Sequence, residues 1–296
     1  MKNEVYQKYK KAGEIAREAR EHAMSLVKEG ASVLELVEEA EDLIRKRGAL
    51  PAFPINVAID SVAAHFTPRT DDRTKLERGS IVKIDVGVHV DGYIGDTADT
   101  SEVGTRNWSR LIDASQVALD IAIELIKPDA AIRMIGGAIE RSIGQSGFKP
   151  ISNLTGHNLR RFSLHSGKSI PNIMDDTKGH VLLGEALAIE PFATNGAGKV
   201  DGRKSGNIYR FVKKGDAKKP RANELLGRIE KKFNTLPFAE RWCTRFERKA
   251  PAYLQRLVRR RLVYAYPILS DIGKGRVSQA EHTVIVTKDG CDVTTA

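Results

Sequence analysis

Apolar residues recur at helical spacing in two stretches, Lys28–Pro51 and Lys127–Pro150, and each predicts an amphipathic helix stopped by a glycine with a proline three residues further on. At a constant offset of 99 the two superimpose: Lys28 on Lys127, Ala31 on Ala130, Glu41 on Glu140, Ile44 on Ile143, Gly48 on Gly147 and Pro51 on Pro150. Val33/Ile132 and Leu36/Ile135 match as apolar positions. Downstream, Gly79 precedes Asp85 by six residues and Gly184 precedes Glu190 by six, each acid following an isoleucine in an apolar run. The chain reads as a duplication, one helix–helix–sheet unit on each side, with acids donated by both. Chance agreement between helical patterns explains the helices, but it explains the paired Gly, Pro and acid positions less well.

A different period governs KIDVGVHVDGYIGDTADT, which alternates apolar and polar residues around Asp91-Gly92. That pair suits a type I′ turn, whose two central positions both need positive φ, so the segment predicts a β-hairpin. With Asp91 and Gly92 as the loop, Gly87 falls opposite Asp96, and Asp85 lies two residues along on the same face. Diagonal neighbours of this kind lie roughly 7 to 8 Å apart, close enough for two carboxylates to share ions. Gly87 is expected to keep the space between them open. A solvated Asp on an edge strand is the plainer alternative for such a pair standing alone.

Three more residues extend the pattern. His157 follows a glycine in NLTGHNL, Glu190 interrupts EALAIEPFA, and Glu281 opens a strand in QAEHTVIVT. Taken singly each is weak, and a lone His in a loop is more often just hydrogen-bonded. Together, four carboxylates and one imidazole in apolar or Gly-flanked segments need a reason, because a buried unpaired carboxylate costs several kcal/mol (on the order of 1–5) or protonates. Asp85, Asp96, His157, Glu190 and Glu281 read as one dinuclear metal site. Oxygen-rich ligation suits Mn, Fe or Co; Zn or Ni is a less natural occupant.

Composition adds a soluble, core-forming chain of 296 residues with 41% hydrophobic content, long enough for one large domain or two halves. No stretch approaches the roughly 20 apolar residues of a membrane span, and the N-terminal MKNEVYQKYKKAGEIAREAR reads as a charged helix rather than a secretory signal. Cytoplasmic residence is the expectation. Cys243 and Cys291 lack metal-type spacing and are read as reduced thiols.

The segments KIDVGVHVDGYIGDTA, NLTGHNLRRFSLHSGKSIPN, LAIEPFATNGAGKV and QAEHTVIV, in this order, resemble those of type 2 methionine aminopeptidases, the archaeal and eukaryotic class, over nearly the whole chain. The resemblance implies an α/β (α+β) pita-bread fold with internal pseudo-two-fold symmetry, and it implies that the long stretch between Glu190 and Glu281 is the helical insertion of type 2 enzymes. Residues 1–200 and 265–296 would form the catalytic domain and 201–264 the insertion. The chain starts close to the catalytic domain, so an archaeal-type enzyme is expected. By motif position, Asp85 would chelate one of two divalent ions, Asp96 and Glu281 would bridge them, and His157 and Glu190 would complete the second. The activity implied is removal of the initiator methionine from nascent proteins with a small second residue. A metal-bridging hydroxide would attack the carbonyl and Glu190 would shuttle the proton. His65 in AAHFTP and His165 in FSLHSG match the family's two non-ligand active-site histidines. Phe53 in PAFPIN, Leu164 and Tyr266 match positions that surround the substrate. Ala280 departs from the family, where many relatives have Phe.

Charge raises a separate question. From Arg203 to Arg261 there are 19 Lys+Arg against 5 Asp+Glu, while the whole chain carries +10, so the basicity is concentrated in this one segment. Such a surface attracts polyanions, and contact with ribosomal RNA is the corresponding expectation, although an ordinary solvated basic face has the same composition. The protein is expected to be a monomer without membrane partners. Two other functions stay open at this level: an Xaa-Pro dipeptidase-like metallohydrolase of the same fold, and a non-catalytic pita-bread protein that binds ribosomes or RNA.

Overall fold

A computed structural model describes all 296 residues as seven helices and four antiparallel sheets. Helix α1 (Asn3–Ser25) and helix α2 (Val33–Lys46) pack on the sheet built around the hairpin Ile81–Val90/Tyr93–Glu102. Their apolar faces meet in a core that includes Ile15, Ala19, Leu36, Ile44, Val82 and Ile84. Helices α3 (Ser109–Glu124) and α4 (Ile132–Gln145) cover the second half through Leu111, Ala118, Ile135, Ile139, Leu187 and Val284. The charged N-terminal stretch is therefore helical, as its sequence predicts.

The internal offset is visible element by element. Helices α2 and α4 occupy the same 14 positions of each repeat, and the short strands Leu50–Pro51 and Lys149–Pro150 follow them. Gly48 and Gly147 end those helices at φ 77° and 85°, left-handed values that an L side chain resists. Gly79 and Gly184 adopt φ 80° and 78° before the two acid-bearing strands. Only α2 has a side-chain N-cap, Ser32 Oγ accepting the Glu35 N–H at 3.3 Å; Ala131 stands at the matching place and offers none.

The hairpin adopts the register its turn dictates. Asp91 and Gly92 take φ 53° and 88°, and Gly87 pairs with Asp96. Its second strand then meets the other half along a narrow join. The backbone supplies an isolated bridge, Ala98 to Glu281, and threonine hydroxyls supply much of the rest. Thr283 Oγ1 accepts the Asp96 N–H and donates to the Asp96 carbonyl, both at 2.8 Å. Thr100 Oγ1 treats Gln279 in the same way, at 2.9 and 2.6 Å.

The segment after Val200 begins and ends as strand rather than helix. Val200–Phe211 pairs with Val263–Asp271 through two register irregularities. Between them come α5 (Pro220–Phe233), α6 (Glu240–Thr244) and α7 (Ala250–Arg259), with their own core of Leu225, Ile229, Phe238, Trp242, Leu254 and Leu257. Prolines in the first turns of α5 and α7 suit positions whose N–H has no helical partner. No helix is long and apolar enough to cross a membrane.

Candidate metal centre

Residues from both halves converge where the hairpin meets the second sheet. Asp85 and Asp96 come from the two hairpin strands, His157 from Thr155–Leu159, Glu190 from the end of Ala186–Ile189, and Glu281 from the bridge to Ala98. Gly156 lets the His157 strand approach its neighbour: a Cβ there would collide with the Ala188 carbonyl. Asp96, His157 and Glu281 offer ligand atoms that all lie within 4.8 Å of one another. His157 Nε2 is 3.8 Å from Asp96 Oδ2 and 3.5 Å from Glu190 Oε1, so Glu190 adjoins that group; Asp85 stands on the same cavity wall. Gln279 Nε2 donates to Glu281 Oε2 at 3.2 Å and orients it.

The electrostatics explain why these groups need a cation. Burial pushes the Asp85 carboxyl up to about 7. Asp96, Glu190 and Glu281 are also driven well above the ordinary carboxylate range, first by burial and then by the neighbouring carboxylates. Burial holds the His157 imidazole well below its usual value, and the nearby His165, 4.3 Å away between ring centres, adds to this. Asp85 Oδ1 and Asp96 Oδ1 are buried without any hydrogen-bond partner. Acids in such surroundings stay ionised only around positive charge. The donor set, oxygen-rich with one neutral imidazole, fits divalent metal.

All ten residues singled out by the sequence, namely the five above with Phe53, His65, Leu164, His165 and Tyr266, line one cavity of about 210 Å³. His65 has φ 66° and its Nδ1 lies 3.2 Å from the Pro267 carbonyl, so that nitrogen carries the proton and Nε2 is left as an acceptor. Burial lowers its pKa to about 4, and burial also lowers that of His165, with Arg210 adding to the effect. The ring of Tyr266 stands edge-on to His65 at 5.2 Å. One expectation is corrected: the space over Gly87 is not open. A Cβ on Gly87 would run into the Phe53 ring, so the glycine admits that ring to the cavity wall. Sequence reasoning passed over Asn56, Thr155, Ile208 and Pro237, which also line the cavity. Strand alternation around Asp85 could have pointed to Asn56, its cross-strand partner. Nothing local marks Ile208 or Pro237, which reach the cavity only through the long-range fold.

The buried carboxylate–imidazole cluster lies on a duplicated frame of helices and sheets, and residues 7–288 match the model of metallopeptidase family M24, which makes the chain a metallopeptidase. Over 295 residues the chain is 43% identical to the methionine aminopeptidase of Methanocaldococcus jannaschii, covering 100% of each. It belongs to the methionine aminopeptidases of family M24. A solved thermophilic Arx1 superposes with TM-score 0.88 at 21% identity, over 99% of this chain and 91% of that one. The methionine aminopeptidase of Rickettsia prowazekii superposes with TM-score 0.73 at 23% identity, over 100% and 98%. These likenesses show the pita-bread fold. Family and donor set together make this a hydrolytic enzyme that uses divalent metal.

Proposed function

We propose that this aminopeptidase removes the initiator methionine from nascent chains whose second residue is small. The observation that carries the reading is the convergence of acids, histidines and apolar walls from both halves on one cavity, in a chain 43% identical over its full length to a methionine aminopeptidase. Two divalent ions would be held by Asp85, Asp96, His157, Glu190 and Glu281, with Asp96 and Glu281 shared between them; Fe, Mn or Co suits these donors best. When bound, such ions supply Lewis acidity, lowering the pKa of water and stabilising developing negative charge.

The chain's own residues do the rest. Phe53, Leu164 and Tyr266 wall the site for the methionine side chain. His65 Nε2 accepts the N–H of the scissile amide, because Nδ1 is committed to Pro267. His165 hydrogen-bonds the carbonyl oxygen as charge develops on it. Glu190 takes a proton from the attacking water and returns it to the leaving amine. A walled site leaves little room beside the acids, which restricts the second residue.

In this reading residues 1–200 and 265–296 form the catalytic domain, and 201–264 form a basic subdomain that docks on ribosomal RNA. The enzyme works as a cytoplasmic monomer. The deciding experiment strips the protein of metal, reconstitutes it anaerobically with Fe, Mn, Co or Zn, and compares Met-Ala-Ser with Ala-Pro. Cleavage of Met-Ala-Ser supports the proposal; preferential cleavage of Ala-Pro would replace it with an Xaa-Pro dipeptidase.

A further inference from the structure

Among the 19 basic residues between Arg203 and Arg261, Arg241 alone is buried, with 2% of its surface exposed. It sits on α6, and its Nη2 forms an ion pair with Glu41 Oε1 on α2, a carboxylate that is itself fully buried. Glu41 Oε2 accepts from Trp242 Nε1 at 2.7 Å and from Arg45 Nη2 at 3.3 Å. Arg241 Nη1 donates to Thr67 Oγ1 at 2.8 Å. Removing an ion pair from water is unfavourable enough that apolar residues often stabilise a fold equally well, so a pair with this many aligned partners is best explained by what it holds in place.

What it holds is the segment that follows His65. The Thr67 hydroxyl, while accepting from Arg241, donates to the Ile55 carbonyl at 2.9 Å. The Thr67 carbonyl accepts from Asn207 Nδ2 at 3.1 Å, and the Phe66 carbonyl accepts the Val57 N–H at 2.9 Å. His65 has a left-handed backbone, which a residue with a Cβ keeps only when its surroundings impose it. Ile55 lies between Phe53 and Asn56, both on the cavity wall. One hydroxyl therefore ties the His65 segment to the Phe53 segment, and the insertion's arginine fixes that hydroxyl.

We infer that Arg241, anchored by Glu41, is a positioning residue: through Thr67 it sets His65 relative to Phe53, so that α6 of the insertion completes the active site from behind. This rests on the reading of His65 as a substrate contact. Arg241→Ala would leave Glu41 buried and unpaired and can fail to fold, so the test uses gentler changes. Thr67→Val keeps the shape and removes the hydroxyl, Thr67→Ser restores the hydroxyl, and Arg241→Lys keeps a charge beside Glu41 while losing the second limb.

With Met-Ala-Ser as substrate, Thr67→Val and Arg241→Lys are expected to lower kcat by about 10- to 100-fold, the scale of a small misplacement of a reacting group. KM and the metal affinity measured by calorimetry should stay near wild type, and Thr67→Ser should restore kcat. In a His65→Ala background, Thr67→Val should add almost nothing, because its effect passes through His65. Wild-type kcat in Thr67→Val, losses that multiply independently of His65→Ala, or loss of metal binding in its place would overturn the inference while leaving the aminopeptidase reading intact. Failure of the metal-loaded wild type itself on Met-Ala-Ser would instead remove that reading, and the inference with it.

Discussion

The ring of Phe53 occupies the space that a side chain on Gly87 would need, directly across the hairpin from Asp96. An apolar wall is thereby set against the acidic cluster, and the two surfaces of the cavity are coupled by one missing methyl group. Phe53→Ala is expected to relax selectivity for methionine by about 1–3 kcal/mol, the usual value of a methylene-scale contact in an apolar pocket. Gly87→Ala should displace the ring and raise KM for Met-Ala-Ser. Competition between Met-Ala-Ser and Leu-Ala-Ser measures both; equal cleavage of the two by the unmodified enzyme would refute the pocket assignment.

Changes within the acidic cluster should separate into two kinds. Glu190→Gln retains one coordinating oxygen but loses the basic one, so near-complete loss of turnover with much of the metal kept is expected. Asp96→Asn and Glu281→Gln remove charge from the positions proposed to be shared by two ions, and metal affinity itself should fall, since neighbouring cations repel without anionic bridges. Calorimetric titration with Mn or Co, alongside activity, distinguishes these outcomes. Wild-type behaviour in all three variants would defeat the two-ion assignment.

Acid sensitivity should be traceable to a histidine away from the centre. Burial lowers the His89 pKa to about 4, and its Nδ1 accepts the Gly92 N–H at 3.1 Å at the end of the hairpin. Between the unfolded value near 6.5 and about 4, the unfolded chain binds a proton that the folded one refuses. Stability therefore falls as pH drops through that window, by at most about 1.4 kcal/mol per pH unit for each such proton. His89→Gln preserves an acceptor for Gly92 and should give a shallower fall of Tm between pH 7 and 5. An unchanged slope would assign the sensitivity to other groups, among them His65, whose pKa is also lowered to about 4.

The proposed docking on ribosomal RNA predicts a salt signature. Arg259, Arg260 and Arg261 are exposed at the end of α7. If the segment neutralises several phosphates, log K should fall linearly with log salt, with a slope of roughly −0.7 to −0.9 per contact. Reversing these three charges should flatten that slope and leave hydrolysis of a free tripeptide unchanged. Cosedimentation with ribosomes at two salt concentrations reads it out; equal pelleting of wild type and variant would return the segment to an ordinary solvated face.

Much of this molecule was legible in its sequence because the signals were local. A two-residue turn at Asp91-Gly92 sets every pairing along its hairpin, and glycines forced to positive φ mark the same boundaries in each repeat. Arg241 was not legible. Charge counting treats it as one more surface cation of a basic segment, whereas its partner Glu41 lies 200 residues away in the chain. The role of Gly87 departs from the sequence expectation for a related reason: a glycine says that something comes close, and only the fold says that it is Phe53.

The threonine-stitched join between the halves also sets a time order. Asp85 and Asp96 are synthesised before Thr283 and Glu281, which lock onto the Asp96 strand and follow it far along the chain. A nascent fragment that ends before Glu281 cannot assemble the whole cluster, and its earlier acids remain without their partner until that strand arrives. A hydrolase built this way is dormant until the strand that carries Glu281 has been made and has met the hairpin.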